Sequence, residues 1–484
     1  MIKSFLAHRW ARHIIGCVIL LGISASLILP NLGSPRAIIF DETYFIPTTQ
    51  KYLNGVFFLE PHPPLAKLLI ALGERLYQPN QSPDQFITVE KVDKDWSAEW
   101  DITGYRIAPA IFGIVIPALV FLILCIVLEN KLTAFLLTLP ILFDNAIIAQ
   151  SRAALIDSFL IVFCLASVLV FVYVSRRVDW RFRALIVWSV LWGAMAGSAA
   201  SVKLTGLFIL LLVGLYGLKL LWSHQVRRGL IVGIFFSLAF GITYLGTWAI
   251  HFSIAQRIIG SQDYGISATH RQILAGEITV DPLTRFVVQM QDAIDYQRRY
   301  EAGVPKLDLT KPDEIGSPWY WWLVGGRAID YRWETSGNGA YGYVYLMGNP
   351  ATGLISLLGV VFGTAALVAD LIFGFLPTGR RQWLYSFVLL YWGYMIPIMF
   401  IERVMYLYHY LPPLIIGVIL FALVFREAKR IPLFVRRGGL VLVLLLVIVA
   451  FFVYKPLTYN EPLTGPEFRQ RNIWPAWDLR CVGC

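Results

Sequence analysis

Charge is scarce in this chain. Asp, Glu, Lys and Arg make up 15% of its 484 residues, against roughly a quarter in ordinary soluble domains. That scarcity excludes a string of soluble domains, which the length alone would suggest. Histidine contributes 7 residues and cysteine 5. Cys17, Cys125 and Cys164 each lie inside an apolar run, where a thiol packs as a small hydrophobe. Cys481 and Cys484 form a single C-x-x-C. One such pair lacks the second half of a zinc site, and no βαβ pattern surrounds it for thioredoxin-like redox chemistry. A local disulfide suits it if the tail lies outside the cytoplasm. No repeat, low-complexity tract or RNA-binding motif is present, so the net charge of +10 does not indicate a nucleic-acid partner.

What the chain has in abundance is apolar surface. It is 57% hydrophobic, in runs long enough to cross a hydrocarbon core of about 30 Å. We expect about eleven spans, near residues 13–30, 106–128, 132–149, 157–174, 184–200, 205–222, 230–248, 350–376, 384–401, 408–425 and 438–454. The stretch 190–222 reads as two helices with a tight turn. The basic N-terminus lacks a clean cleavage site and reads as an uncleaved signal-anchor.

Basic residues fix an expected orientation. With Lys3, Arg9 and Arg12 in the cytoplasm, alternate connections carry Lys131; Arg176, Arg177, Arg181 and Arg183; Arg227 and Arg228; Arg380 and Arg381; and Arg426, Lys429, Arg430, Arg436 and Arg437. All then fall on the cytoplasmic side. Two long loops, 31–105 and 249–349, and the tail from 455 lie outside. The second loop should hold short helices, for example in DPLTRFVVQMQDAIDYQRRY.

Three groups of residues suggest chemistry. The first is FDETYF, where Asp41 and Glu42 follow the first span. Adjacent carboxylates are costly near lipid, so a polar cavity suits them; so does an ordinary solvated loop. The second is His62-Pro63-Pro64, a stop and a helix start. After it, Leu65, Leu68, Leu69, Leu72 and Leu76 form one stripe, with Lys67, Glu74 and Arg75 off it. This helix suits a membrane surface or packing on other spans. The third is a set of cations at outer span ends: Arg106, Arg152 beside Asp157, Lys203, and Arg403 with His409. Each alone fits a snorkelling residue. Together, on the face that the positive-inside rule disfavours, they suggest an anionic partner such as a lipid-linked phosphate.

FDETYF followed by HPPLAKLLIALG closely resembles the first-loop signature of protein O-mannosyltransferases, an acidic pair followed by HPPLGK. YRIAPAIFG, SRAALIDSFL, ASVKLTGLF, GSPWYWW, MGNP and RVMYLYHYLP resemble further segments of that family in the same order. The resemblance implies an all-α polytopic membrane protein with the GT-C fold. It implies a polyprenyl-phosphate-mannose donor held in membrane lipid, and a Ser or Thr hydroxyl acceptor on a translocated protein. It also implies inversion at the anomeric carbon, with no cofactor and no essential metal. The sequence departs from the pattern at Ala66, at Leu204 and in Thr43-Tyr44-Phe45 after the acidic pair. No MIR-type β-trefoil interrupts 249–349, which implies a bacterial member in the plasma membrane.

In that reading Asp41 is the base for the acceptor hydroxyl, and Glu42 orients the acceptor or tethers Arg106. Arg106, Arg152, Lys203, Arg403 and His409 neutralise the leaving phosphate. His62, Pro63, Pro64 and Asp157 position the first loop. A related GT-C transferase acting on a lipid or cell-wall glycan is the alternative, although aminoarabinose transferases would carry Lys-Pro-Pro at His62-Pro63-Pro64. A transporter would show repeats and midplane charges, and the sequence shows neither.

Overall fold

The computed structural model describes residues 2–92, 100–177, 180–260, 264–482 and 484, with the backbone alone for residues 2–11. The side chains of Lys3 and Arg9, part of the expected basic N-terminus, therefore lie outside the described residues.

Helix α1 (Ile2–Ile28) leads into the first loop, which carries α2 (Glu42–Leu53) and α3 (Leu65–Tyr77). Then follow α4 (Thr103–Leu128), α5 (Lys131–Leu142), α6 (Asn145–Ser151), α7 (Asp157–Arg176) and α8 (Phe182–Val202). A 3-10 turn (Leu204–Ile209) enters α9 (Leu210–Trp222), and α10 (Val226–Ile254) closes this half. The second loop holds α11 (Ala268–Ala275), α12 (Pro282–Gly303), α13 (Trp319–Trp322), β1 (Ile329–Gly337) and β2 (Ala340–Leu346). Helices α14 (Pro350–Phe373), α15 (Thr378–Met399), α16 (Leu411–Glu427) and α17 (Leu433–Tyr459) complete the bundle. The tail adds β3 (Pro462–Thr464) and α18 (Gly465–Arg471).

Among the described residues, eight helical segments are long and apolar enough to span a membrane, and the bent pair α5/α6 makes at most a ninth. The other two expected spans are helical too: the apolar part of α1 is Arg12–Ile28, and α15 is less apolar, with Arg380 and Arg381 in its first turn. Lipid is as apolar as leucine, so helices in it associate through close packing, and small residues permit the closest approach. On α8 a Cβ at Gly193 would stand 2.2 Å from the Phe236 carbonyl of α10. On α14 a Cβ at Gly359 would stand 2.0 Å from the Gly417 carbonyl of α16. These two helix pairs, together with α4 packed against α1, α3, α5 and α7, form the frame.

Two expectations need correction. The span expected at 132–149 is broken, with a 66° bend between α5 and α6. Asp144 causes the break: its carboxylate accepts from the Ile147 amide, capping α6, and from the Asn349 amide. The outer layer is not purely helical, because β1, β2 and β3 form an antiparallel sheet that joins the second loop to the tail. The helix expected in 281–300 is present, and as α12 it runs for 22 residues.

Helix α3 takes the second of its two expected placements. It packs on α4, and its polar face points inward. Lys67, Ala66, Ile70 and Glu74 are buried, whereas Leu72 and Leu76 are exposed. A Cβ at Gly73 would lie 3.0 Å from the Gly104 carbonyl, so it is the small residues of α3 that seat it on α4. Of the leucine stripe, Leu72 and Leu76 face outward, while Leu65, Leu68 and Leu69 are half-buried.

Candidate active site

The adjacent carboxylates Asp41 and Glu42 have opposite fates. Glu42 is fully buried. It accepts from Arg106 Nε at 2.8 Å and Nη2 at 2.9 Å, from the Ile39 amide at 2.9 Å and from the Ala154 amide at 2.7 Å. Arg106 is equally committed. Its remaining N–H groups donate to the carbonyls of Leu32, Pro35 and Ala37, so all five guanidinium donors are used inside the protein. This two-pronged pair pins the start of loop one to α4. Glu42 thus tethers Arg106, one of the two expected roles. Arg106 cannot grip a donor phosphate as expected, because no donor is left over.

Arg152, also expected at the donor phosphate, is engaged by backbone carbonyls through three of its five N–H groups. Its guanidinium donates to the carbonyls of Ile28, Pro30 and Asn31 and lies over the Tyr459 ring. It fastens the exit of α1.

Asp41 is left free: among the described residues its carboxylate has no hydrogen bond or ion pair. It occupies the N-cap position of α2 without capping it. The preceding residue, Phe40, holds a left-handed φ of 45°, which a bulky residue rarely adopts. The conformation is maintained by a stack of Phe40 on Tyr331 (centroids 4.4 Å apart) and by edge contacts with Tyr406 and Tyr408. Strain of this kind persists where the surroundings over-determine it, and here it lies immediately before Asp41. Burial, opposed by Lys203 and Lys67 and reinforced by Asp157, leaves the Asp41 carboxyl raised to about 6.

Those three charges mark the walls of the site. Lys203 ends α8 and pairs with Asp157 at 2.6 Å, its ammonium over the Tyr408 ring. Asp157 also accepts from Gln150 at 2.6 Å, and Gln150 accepts from the Tyr331 hydroxyl at 2.6 Å. A buried chain therefore runs from β1 through α6 and α7 to Lys203. Lys67 is fully buried and pairs with Glu60 at 2.8 Å. His62 lies between, its imidazole held neutral by burial and by the charges of Lys67, Lys203 and Arg403. Pro64 caps α3 with its carbonyl, which accepts from the Leu68 amide, and Pro63 precedes it.

Arg403 and His409 come from the far end of the sequence. Arg403 pairs with Glu301 of α12 at 2.9 Å and stays partly exposed. His409 Nδ1 sits 3.0 Å from the Tyr406 carbonyl, with the ring stacked on Tyr408 and Trp322. Of the expected residues, Asp41, His62, Asp157, Lys203, Arg403 and His409 thus gather at one end of the bundle. Lys67 with Glu60, Tyr331 with Gln150, and Phe40 were missed. The Lys of HPPLAK was the available signal for Lys67; the others carry none in isolation. The tail cysteines Cys481 and Cys484 are joined as a disulfide.

Chemically, the site offers one free carboxylate of raised pKa beside two cations, Lys67 and Lys203, each paired with its own carboxylate. That suits accepting a proton from a hydroxyl beside an anionic leaving group.

The family described as dolichyl-phosphate-mannose-protein mannosyltransferase matches residues 18–264, and the C-terminal four TMM region of protein-O-mannosyltransferase matches residues 301–477. Dolichyl-phosphate-mannose--protein mannosyltransferase 1 of Candida albicans is 30% identical over 254 residues, covering 47% of this chain and 26% of that protein. Protein O-mannosyl-transferase 2 of Danio rerio is 27% identical over 288 residues, covering 55% of this chain and 36% of that protein. The chain thus spans about a quarter to a third of the length of these relatives. In fold it is similar to the S. cerevisiae protein O-mannosyltransferase Pmt1-Pmt2 complex bound to the sugar donor, with a TM-score of 0.84 at 14% identity, covering 97% of this chain and 93% of that one. The archaeal oligosaccharyltransferase AglB from Archaeoglobus fulgidus follows with a TM-score of 0.50 at 11% identity, covering 94% of this chain and 56% of that one.

Proposed function

The chain belongs to the dolichyl-phosphate-mannose-protein mannosyltransferase family, and on that premise we propose that it moves mannose from a polyprenyl-phosphate-mannose donor to Ser or Thr hydroxyls of proteins. The observation that carries the reading is the split acidic pair: Glu42 is bound on both oxygens, while Asp41 stands free beside Lys67 and Lys203.

The acceptor hydroxyl is a weak nucleophile, and Asp41 takes its proton as it attacks. The hydroxyl oxygen bonds to the anomeric carbon from the face opposite the phosphate. The bond from that carbon to the phosphate oxygen breaks, its electron pair leaves with the polyprenyl phosphate, and the configuration inverts. Lys203 and Arg403 neutralise the charge that grows on the departing phosphate, where fixed charges help most. His62 and His409 shape the pocket between them. The reading needs no cofactor, because phosphate is already a good leaving group. Orientation belongs to the same proposal: the Asp41 end faces outside and the basic loops face the cytoplasm.

The test is transfer of radiolabel from polyprenyl-phosphate-mannose to a Ser/Thr-rich peptide by the purified protein. Label in the peptide supports the reading. Label found only in a lipid or glycan fraction refutes the protein acceptor.

A further inference from the structure

Helices α4, α7 and α16 each begin at the Asp41 end and finish together at the other. There, with the entries of α5, α15 and α17 and the exit of α9, they surround a cavity of about 600 Å³. Its walls carry six cations: Arg176, Lys219, Arg380, Arg426, Lys429 and Arg436. Two carboxylates answer them. Glu129 pairs with Arg176 at 2.9 Å, and Glu427 is shared by Arg380 at 3.0 Å and Arg426 at 2.6 Å. Lys219 is held by the Ser175 carbonyl and Gln382 Oε1. Among the described residues, Lys429 and Arg436 have no carboxylate partner. Arg436 rests on the Phe425 ring with its centre 5.5 Å away, so its guanidinium lies along the wall.

We propose that this cavity binds the phosphate headgroup of an anionic phospholipid. The charge is in excess and is collected in a recess. Repulsion between cations held this close is relieved by a bound anion, and guanidinium groups match phosphate oxygens in geometry. A free phosphate ion offers the same chemistry. The lipid is the occupant we assign because the recess opens where spans end and its wall continues into apolar residues (Ile126, Val127, Phe425). Basic pockets between span ends suit headgroups whose chains stay in the bilayer. The site lies at the opposite end of α4, α7 and α16 from Asp41 and does not depend on the sugar-transfer reading.

The test uses the full-length protein in nanodiscs of phosphatidylcholine containing phosphatidylglycerol, with retained lipid counted by native mass spectrometry. We expect phosphatidylglycerol to be enriched over phosphatidylcholine by roughly tenfold. The Lys429→Gln/Arg436→Gln variant should lose most of that enrichment. The control Arg430→Gln/Arg437→Gln removes the same charge from residues outside the cavity and should keep it. Melting temperature verifies that both variants are folded. Equal retention of the two lipids by the wild type, or equal loss in both variants, overturns the site. A parallel arm adds inorganic phosphate in detergent at matched ionic strength. Stabilisation by phosphate that only the cavity variant loses, without lipid enrichment, overturns the lipid assignment in favour of the free ion.

Discussion

At the Asp41 end of the bundle, Lys67, Arg106 and Lys203 are buried, and each is matched by one carboxylate: Glu60, Glu42 and Asp157. At the opposite end, six cations share two carboxylates around an open recess. The contrast follows from where water is. A buried charge must be paired, because desolvating it alone costs several kcal/mol; a cation at a wet rim needs no partner and gains little from one. Beside these pairs Asp41, with no hydrogen bond or ion pair among the described residues, is conspicuous. Excess at the other end makes an anion the missing element.

The largest effect should come from breaking a pair at the buried end. Arg106→Leu leaves three carbonyls without donors and the buried Glu42 without its cation, held only by the Ile39 and Ala154 amides, a loss of about 3–5 kcal/mol; folded yield and melting temperature should collapse. An Arg106→Leu protein that folds normally yet fails to bind donor would restore Arg106 to the phosphate site.

A smaller change is expected at Lys203, whose ammonium holds the Asp41 carboxyl down. Asp41 acts as a base only when ionised. Wild-type kcat/KM should therefore fall as pH drops through about 6. Lys203→Met should move that inflection upward, since a carboxylate losing a neighbouring cation ionises later. An inflection that stays in place would separate Lys203 from Asp41.

Tyr331→Phe removes the hydroxyl that donates to Gln150 but keeps the ring stacked on Phe40. It should cost about 1 kcal/mol of stability, the usual worth of one such bond. Tyr331→Ala also removes the stack and should lower turnover further by releasing Phe40. Equal turnover in the two variants would deny the ring a positioning role. The smallest effect belongs to the other end: Arg437→Gln, an exposed residue outside the recess, should change stability by no more than about 0.5 kcal/mol and leave turnover as it was.

The sequence made the span pattern legible because hydrocarbon crossing demands long apolar runs, and all eleven expected segments are helical. It marked Asp41, His62, Lys203, Arg403 and His409 through their motifs. What it hid was direction. Nothing in two adjacent letters tells that Glu42 turns to Arg106 while Asp41 stays free; that follows from the Phe40 backbone and from contacts with residues far along the chain. The stripe on α3 left two placements open for a physical reason. In water leucines turn inward, but beside a membrane they can face out, and Lys67 then occupies the interior. Asp144 looked like part of an apolar span because its partner, the Asn349 amide, lies 205 residues away.

The measurement that tests the split pair most directly is turnover and melting temperature for Asp41→Asn and Glu42→Gln side by side, with polyprenyl-phosphate-mannose and a Ser/Thr peptide. Asp41→Asn should keep the wild-type melting temperature and lose roughly 100-fold or more in kcat, the usual contribution of a positioned base. Glu42→Gln should lower the melting temperature sharply. Near-normal turnover in a folded Asp41→Asn protein, or a stable but inactive Glu42→Gln protein, would contradict the assignment.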